Sequence, residues 1–410
     1  MAAEDPPPAP ASPGSPGSRL PPIRAAYCLL GIAGTLLVTG LLIIYAVRNA
    51  AMLDVTGFDA ATHAAVAGLG CVYDRSVQLA GMRRIPGVSP AYPRSLLAWH
   101  FNEPMPLAYL AYPISQLRLA EAVWIWELAG AAALVACGWL LWRRGGVAPL
   151  LACAVITSLL GNGLVGVNFW LGQDDAFLLL VLLWGLALLR GQRDWAAGAA
   201  FGVVALKPQL MFLVFAVLLF QRRWRAATAM GCVGAALAAL SVALVGPSCA
   251  VTWARTASAV TELSVRVGLG LPMTLAKLTH THLPAEVLFV CLSAGAAWLL
   301  WRLRWLDTEL AVAVALGLAL VIGLHVLYYD AMFYAPLGMR LAQRFPWHVF
   351  AAGWLITMAW FVDEITRWAW TAPLRLAQLV PMIGLAAAIV AISRSRERAA
   401  AALSRARGPT

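Results

Sequence analysis

N-F-W-L-G-Q-D-D-A-F (Asn168–Phe177), R-G-Q-R (Arg190–Arg193), L-K-P-Q (Leu206–Gln209) and Q-R-R-W-R (Gln221–Arg225) punctuate one stretch whose gaps are filled by apolar residues. A helix needs about 20 residues to cross a hydrocarbon core of ~30 Å. Trp195–Leu206 and Pro208–Gln221 are both shorter than that, and arginines stand at their far ends. The two segments therefore predict a hairpin dipping in from the basic side. Lys207-Pro208 is its tip, because proline lacks a backbone donor and disfavours helix in the residue before it. An ammonium at membrane depth costs roughly 2.5 to 3.5 kcal/mol, so such a lysine normally faces a wet cavity or a bound anion. The alternative is a lysine that snorkels to the nearer interface. A kinked tip leaves little room for that. Asp174 and Asp175 pose the same choice between a solvated turn and a functional pair, and they fall where two apolar runs meet.

Composition agrees with a membrane setting. Of the 410 residues, 61% are hydrophobic and only 12% charged, against about 25% charged in an average soluble domain. Mean hydropathy is +0.77. The formal charge of +11 comes from short arginine pairs between apolar runs. That is the positive-inside pattern and not a groove for phosphates, so no nucleic-acid partner is expected. Five cysteines (Cys28, Cys137, Cys153, Cys232 and Cys291) lie in apolar runs and read as packing residues. Cys71 and Cys249 fall in loops assigned to one side, where a bridge between them stays open. No C-x-x-C or His/Cys cluster suggests a metal site.

Taken in order, residues 1–22 are rich in Pro, Ala and Ser and predict a disordered cytoplasmic tail. Residues 23–393 form the membrane-embedded domain. Ala25–Val47 is too long for a signal-peptide core and reads as an uncleaved first span, with Arg19 and Arg24 placing the N-terminus in the cytoplasm. Residues 48–118 and 247–283 are extracytoplasmic loops, each with a short surface helix. The other runs alternate with arginine stops: Leu119–Trp142, Val147–Phe169, Ala176–Leu189, Ala226–Val245, Pro284–Leu300, Leu310–Leu327, Ala331–Leu341, Trp347–Phe361 and Pro373–Ile392. Residues 394–410 are a basic cytoplasmic tail. The fold class is an all-α polytopic membrane protein of about twelve transmembrane or half-spanning helices, both termini inside.

On that topology one face collects the unusual polar groups. They include Asp59 and His63, Tyr73 and Asp74, Asn102 and Glu103, then Gln173, Asp174, Asp175, Lys207, His325, Tyr329 and Asp330. Ionisable groups at span ends are costly unless paired or used. A deep lysine could hold a lipid phosphate while a carboxylate takes a proton from an acceptor hydroxyl.

The order of these pieces resembles glycosyltransferase family 87, membrane enzymes of the type C glycosyltransferase fold. The residues that carry the resemblance are Asp59 with A-A-T-H-A-A, Tyr73-Asp74, Gly172-Gln173, Lys207-Pro208, Arg222-Arg223-Trp224 and Tyr329-Asp330. Two departures stand out: Asp174 replaces an Asn after Gly-Gln, and N-E-P-M-P (Asn102–Pro106) replaces a Tyr-Pro-Pro. The resemblance implies a hexosyltransferase of the cell membrane. It would move a sugar, usually mannose and in some members arabinofuranose, from a polyprenyl-phosphate donor to an extracytoplasmic glycolipid or glycan. Asp59 would be the general base of an inverting reaction. Lys207, then His325, would stabilise the leaving phosphate, and Gln173, Tyr329 and Asp330 would bind sugar hydroxyls. Tyr73, Asp74, Asn102, Glu103 and Asp174 are acceptor or loop candidates. No metal or cofactor is expected; the lipid-linked sugar is a substrate.

Plainer roles compete with these. Asp59 after Gly57-Phe58 suits a helix N-cap. His325 is equally well a packed, hydrogen-bonded histidine. Broken helices with intramembrane Asp and Lys also suit a transporter or lipid flippase, and the two departures suit a catalytically inactive homologue.

Overall fold

The computed structural model describes residues 22–49, 53–86, 104–143, 148–160, 168–169, 171–258, 270–353 and 355. Among them the regular structure is entirely helical. The two tails, the Asn102–Pro106 departure up to Glu103, and most of the chain beyond Gly353 lie outside the described residues.

The helices are α1 (Pro22–Asn49), α2 (Leu53–Val66), α3 (Arg75–Met82), α4 (Met105–Ser115), α5 (Leu119–Trp142) and α6 (Pro149–Leu160). Then come α7 (Asp175–Arg190), α8 (Asp194–Val204), α9 (Pro208–Phe220), α10 (Trp224–Val245) and α11 (Pro247–Ser258). The series ends with α12 (Leu271–Thr279), α13 (Leu283–Arg302), α14 (Thr308–Ile322), a 3₁₀ turn (Tyr328–Tyr334) and α15 (Ala335–Ala342). Among the described residues, α5, α10 and α13 are long and apolar enough to cross a membrane. Only 11% of the apolar window of α10 is buried by the protein itself. Apolar helices that leave such faces uncovered need lipid around them, so this is a membrane protein.

The hairpin expected around Lys207 is present, and its geometry is informative. α8 and α9 are half-length helices of 11 and 13 residues, joined by a turn at Ala205–Lys207. Pro208 is the first residue of α9, where a missing N–H costs nothing. Arg223, just past α9, donates to Asp194 at the start of α8 (3.2 Å), so the two ends of the hairpin meet. α10 then runs beside α8 in the same direction. A Cβ on Gly198 would lie 2.1 Å from the Ala226 carbonyl, and one on Gly202 would strike Val233. The two backbones touch, which only glycine permits there.

α7 and α14 flank this unit and share its polarity. α7 begins at Asp174-Asp175 and ends at Arg190, an arrangement that suits the helix dipole. Asp307 caps α14, its Oδ1 accepting from the backbone N–H of Glu309 (3.1 Å) and Leu310 (3.4 Å). The unit therefore has an arginine end and a Lys207 end. α14 stops at Ile322, short of the expected Leu327, and the return segment begins as the 3₁₀ turn instead of a helix. Gly323 takes up extended backbone at that point. Most core residues, from Cys28 to Val349, form one continuous apolar cluster around α7, α9 and α14.

The expected surface helix of the first loop is α2. It is not laid on the exterior. Phe58, Asp59, Ala60, Ala61 and Thr62 are all buried, and Thr62 Oγ1 bonds to the carbonyls of Phe58 (2.7 Å) and Ala108 (2.9 Å), tying α2 to α4. The close fit of α3 is seen at Gly81, whose Cβ would meet the Ala60 carbonyl at 2.1 Å. Cys71 and Cys249 form a disulfide, which joins the turn after α2 to the start of α11. Beside it the rings of Tyr73 and Trp253 lie 6.5 Å apart.

Candidate active site

Two buried polar environments lie toward the Lys207 end. The first is built by the hairpin tip. Lys207 Nζ lies 2.6 Å from Asp175 Oδ1, 3.4 Å from Asp330 Oδ1 and 3.5 Å from Asp174 Oδ1. All four side chains are at most 3% exposed. They arrive from three places: Lys207 on the α8–α9 turn, Asp174 and Asp175 at the start of α7, Asp330 on the 3₁₀ turn. Asp330 is further fixed because its Oδ2 accepts from the Leu327 N–H at 2.7 Å. One ammonium faces three carboxylates. The cluster carries surplus acceptors, and surplus negative charge wherever the carboxyls are ionised. Lys207 therefore does not snorkel, and Asp174 and Asp175 are not a solvated turn.

The second environment surrounds Asp59. It sits in the middle of α2 and not at its start, so the N-cap role is excluded. It is 0% exposed, and neither carboxylate oxygen has a hydrogen-bond partner. Burial pushes its carboxyl up to about 7. A carboxyl poised near neutrality and held away from any cation suits a general base. The two environments are connected through aromatic contacts. Phe58, the neighbour of Asp59, lies 5.7 Å from Trp126, and Trp126 lies 5.1 Å from Phe177, two residues after Asp175. No hydrogen bond or ion pair joins Asp59 to Lys207 among the described residues.

The other expected residues divide. Gln173 is 5% exposed and its backbone N–H bonds to the Asn168 carbonyl (2.9 Å), which closes the turn that presents Asp174. His325 is partly buried in the extended segment between α14 and the 3₁₀ turn. Tyr73 is buried against Trp253, while Asp74 is exposed at the start of α3 and makes no side-chain cap. The structure does not bring Asp74 into either environment. Asn102, Glu103 and the Tyr329 side chain lie outside the described residues. No three His, Cys, Asp or Glu side chains among the described residues are grouped to hold a metal ion. Lys207 takes the place a cation would occupy among Asp174, Asp175 and Asp330.

Residues 101–336, more than half of the chain, match the model of glycosyltransferase family 87. The chain belongs to that family. No curated protein and no solved structure matches it. The matched span of this family 87 glycosyltransferase contains the whole Lys207 cluster, His325 and α5. Asp59 and Tyr73-Asp74 precede it. Sequence reasoning passed over Glu127, which is 3% exposed inside the apolar helix α5, and Asn168, which is 2% exposed ahead of α7. A lone carboxylate in a 24-residue apolar run was the available signal for the first.

Proposed function

We propose that this family 87 member transfers a hexose, mannose before other sugars, from a polyprenyl-phosphate donor to a glycolipid or glycan hydroxyl, with inversion at the anomeric carbon. The observation that carries this is Asp59: fully buried, without a partner, and with its carboxyl raised to about 7. The acceptor hydroxyl gives its proton to the Asp59 carboxylate as its oxygen bonds to the anomeric carbon. The bond to the polyprenyl phosphate breaks, and its electron pair leaves with the phosphate oxygen. That phosphate departs already ionised, so it needs electrostatic stabilisation more than a proton.

The charge balance at Lys207 refines the remaining roles. Three carboxylates beside one ammonium favour hydroxyl donors and disfavour a free phosphate. Lys207 and Asp330, with Gln173 and Tyr329, are therefore assigned to the donor's sugar and its bridging oxygen, and His325 to the phosphate. The Asp174 departure is accommodated, since that carboxylate is a partner of Lys207. Asp74, Tyr73, Asn102 and Glu103 remain acceptor-side candidates. The active site is assigned to the extracytoplasmic face of the cell membrane. In support, the Cys71–Cys249 bridge joins the two loops assigned to that side, and disulfides persist where thiols are not kept reduced.

The test is Asp59→Asn, assayed with polyprenyl-phosphate mannose and membrane glycolipid extract. Transfer should fall by about 10² to 10⁴ with folding intact. Undiminished turnover would remove Asp59 from the mechanism.

A further inference from the structure

Beyond the Lys207 cluster, several buried polar atoms without partners gather on three neighbouring elements. Thr56 Oγ1 and both Asp59 oxygens lie on α2, Trp126 Nε1 and Glu127 Oε2 on α5, and Asn168 Oδ1 just ahead of α7. Contacts bind these three elements together. Trp126 stands between Phe58 of α2 and Phe177 of α7. One turn along the same buried stripe of α5, a Cβ on Gly130 would lie 3.5 Å from Phe169, the neighbour of Asn168.

Glu127 is the least expected of this group. A carboxyl inside an apolar helix is rare unless it is paired or used. No ion pair reaches it among the described residues, so it fastens nothing. Buried polar atoms are almost always hydrogen-bonded, and an apolar side chain of similar volume would pack there without that penalty. What is missing is a partner that comes from outside the chain.

The types of orphaned atom define the partner. Asp59, Glu127 and Asn168 offer acceptors, and Trp126 offers an indole N–H donor beside an aromatic face. Hydroxyl groups satisfy both kinds, and the C–H face of a sugar ring packs on aromatic surface. A phosphate brings no donor and meets carboxylates of its own sign. We infer that Glu127, supported by Trp126 and Asn168, completes the subsite that binds the hydroxyls of the transferred sugar, on the side away from the Lys207 group, an inference that rests on the glycosyltransferase function proposed above. Asp59 borders the same subsite, which brings the base next to the carbon that reacts.

The experiment uses the full chain in detergent with two probes, polyprenyl-phosphate mannose and bare polyprenyl phosphate. Unfolding temperatures and donor kinetics are measured for wild type, Glu127→Leu and Glu127→Gln. The sugar-bearing probe should stabilise wild type more than the bare lipid does, and Glu127→Leu should erase that difference. Without probe, Glu127→Leu should unfold at or above the wild-type temperature. Donor KM should rise about threefold to tenfold, the effect expected from losing a buried hydrogen bond, with a smaller change in kcat. Should the leucine variant fail to fold, Glu127→Gln must still weaken the sugar-dependent shift without lowering the unfolding temperature. Equal stabilisation of wild type by both probes would overturn the proposal, as would a destabilised variant that keeps the sugar-dependent shift. The Asp59→Asn assay reports on the chemical step alone, so failure of the general base and failure of the sugar subsite give different results.

Discussion

At the arginine end of the helical unit, Glu309 accepts from Arg190 and from Arg340, each at 2.7 Å, and about half of the Arg190 side chain is exposed. Asp307 and Asp194 extend the pairing to Arg340 and Arg223. Basic groups there match or exceed acidic ones, and water reaches them. At the Lys207 end the ratio is one cation to three carboxylates, with every member buried. The same helices, α7 and α14, serve both ends. An exposed, balanced network anchors the protein at an interface and contributes little to stability. A buried, unbalanced one is expensive to build, and that expense supports the role in chemistry proposed for it.

The comparison can be broken by removing charge from each end in turn. Lys207→Met should be the most damaging, because it strands three buried carboxylates; the loss is about 3 to 5 kcal/mol, read by denaturant or thermal unfolding in detergent. A mild effect there would mean that the carboxyls are held neutral without help from lysine. The pH profile gives the next effect. Asp59 is raised above its ordinary value, so it is neutral at acid pH and must lose a proton to act. Transfer should fall roughly tenfold per pH unit below about 7. Its contribution to stability has the opposite sign: it is fully present below the ordinary carboxylate range and is lost as pH rises through about 7. A flat profile between pH 5 and pH 8, measured as kcat/KM, would contradict Asp59 as the base. At the arginine end, Glu309→Gln should cost about 1 to 2 kcal/mol, less than Lys207→Met, and leave transfer unchanged, measured by unfolding temperature and specific activity. A large effect on activity would erase the distinction between the two ends.

How much of this could be read beforehand differs by region. The Lys207-Pro208 reversal was legible because proline and two short apolar runs leave few alternatives. The Asp174-Asp175 corner was legible as a choice between solvent and function, and the sequence could not decide it. The deciding fact is the arrival of Asp330 from a segment more than 120 residues later, a contact made by tertiary packing alone. Asp59 was read either as a cap or as a base; Leu53–Asp54 already extend the helix past it, so the local Gly-Phe signal misplaced the helix start. α2 was expected on the surface because the apolar residues after Gly57 recur at helical spacing. Its small residues instead admit close neighbours, as the contact of Gly81 with Ala60 shows. Glu127 escaped notice because hydropathy averages hide a single carboxylate among many leucines and alanines.

The Cys71–Cys249 bridge spans 178 positions, and that distance constrains how the chain is made. Cys71 leaves the ribosome early and has to wait as a thiol while α3 to α10 are made. Cys137, Cys153 and Cys232 all pass by before its true mate. Each of those three sits within an apolar helix, α5, α6 or α10. Cys137 is buried in the protein, while Cys153 and Cys232 face outward from apolar helices, where a surrounding bilayer would shield them from oxidant and leave the pairing to the thiols that stay wet.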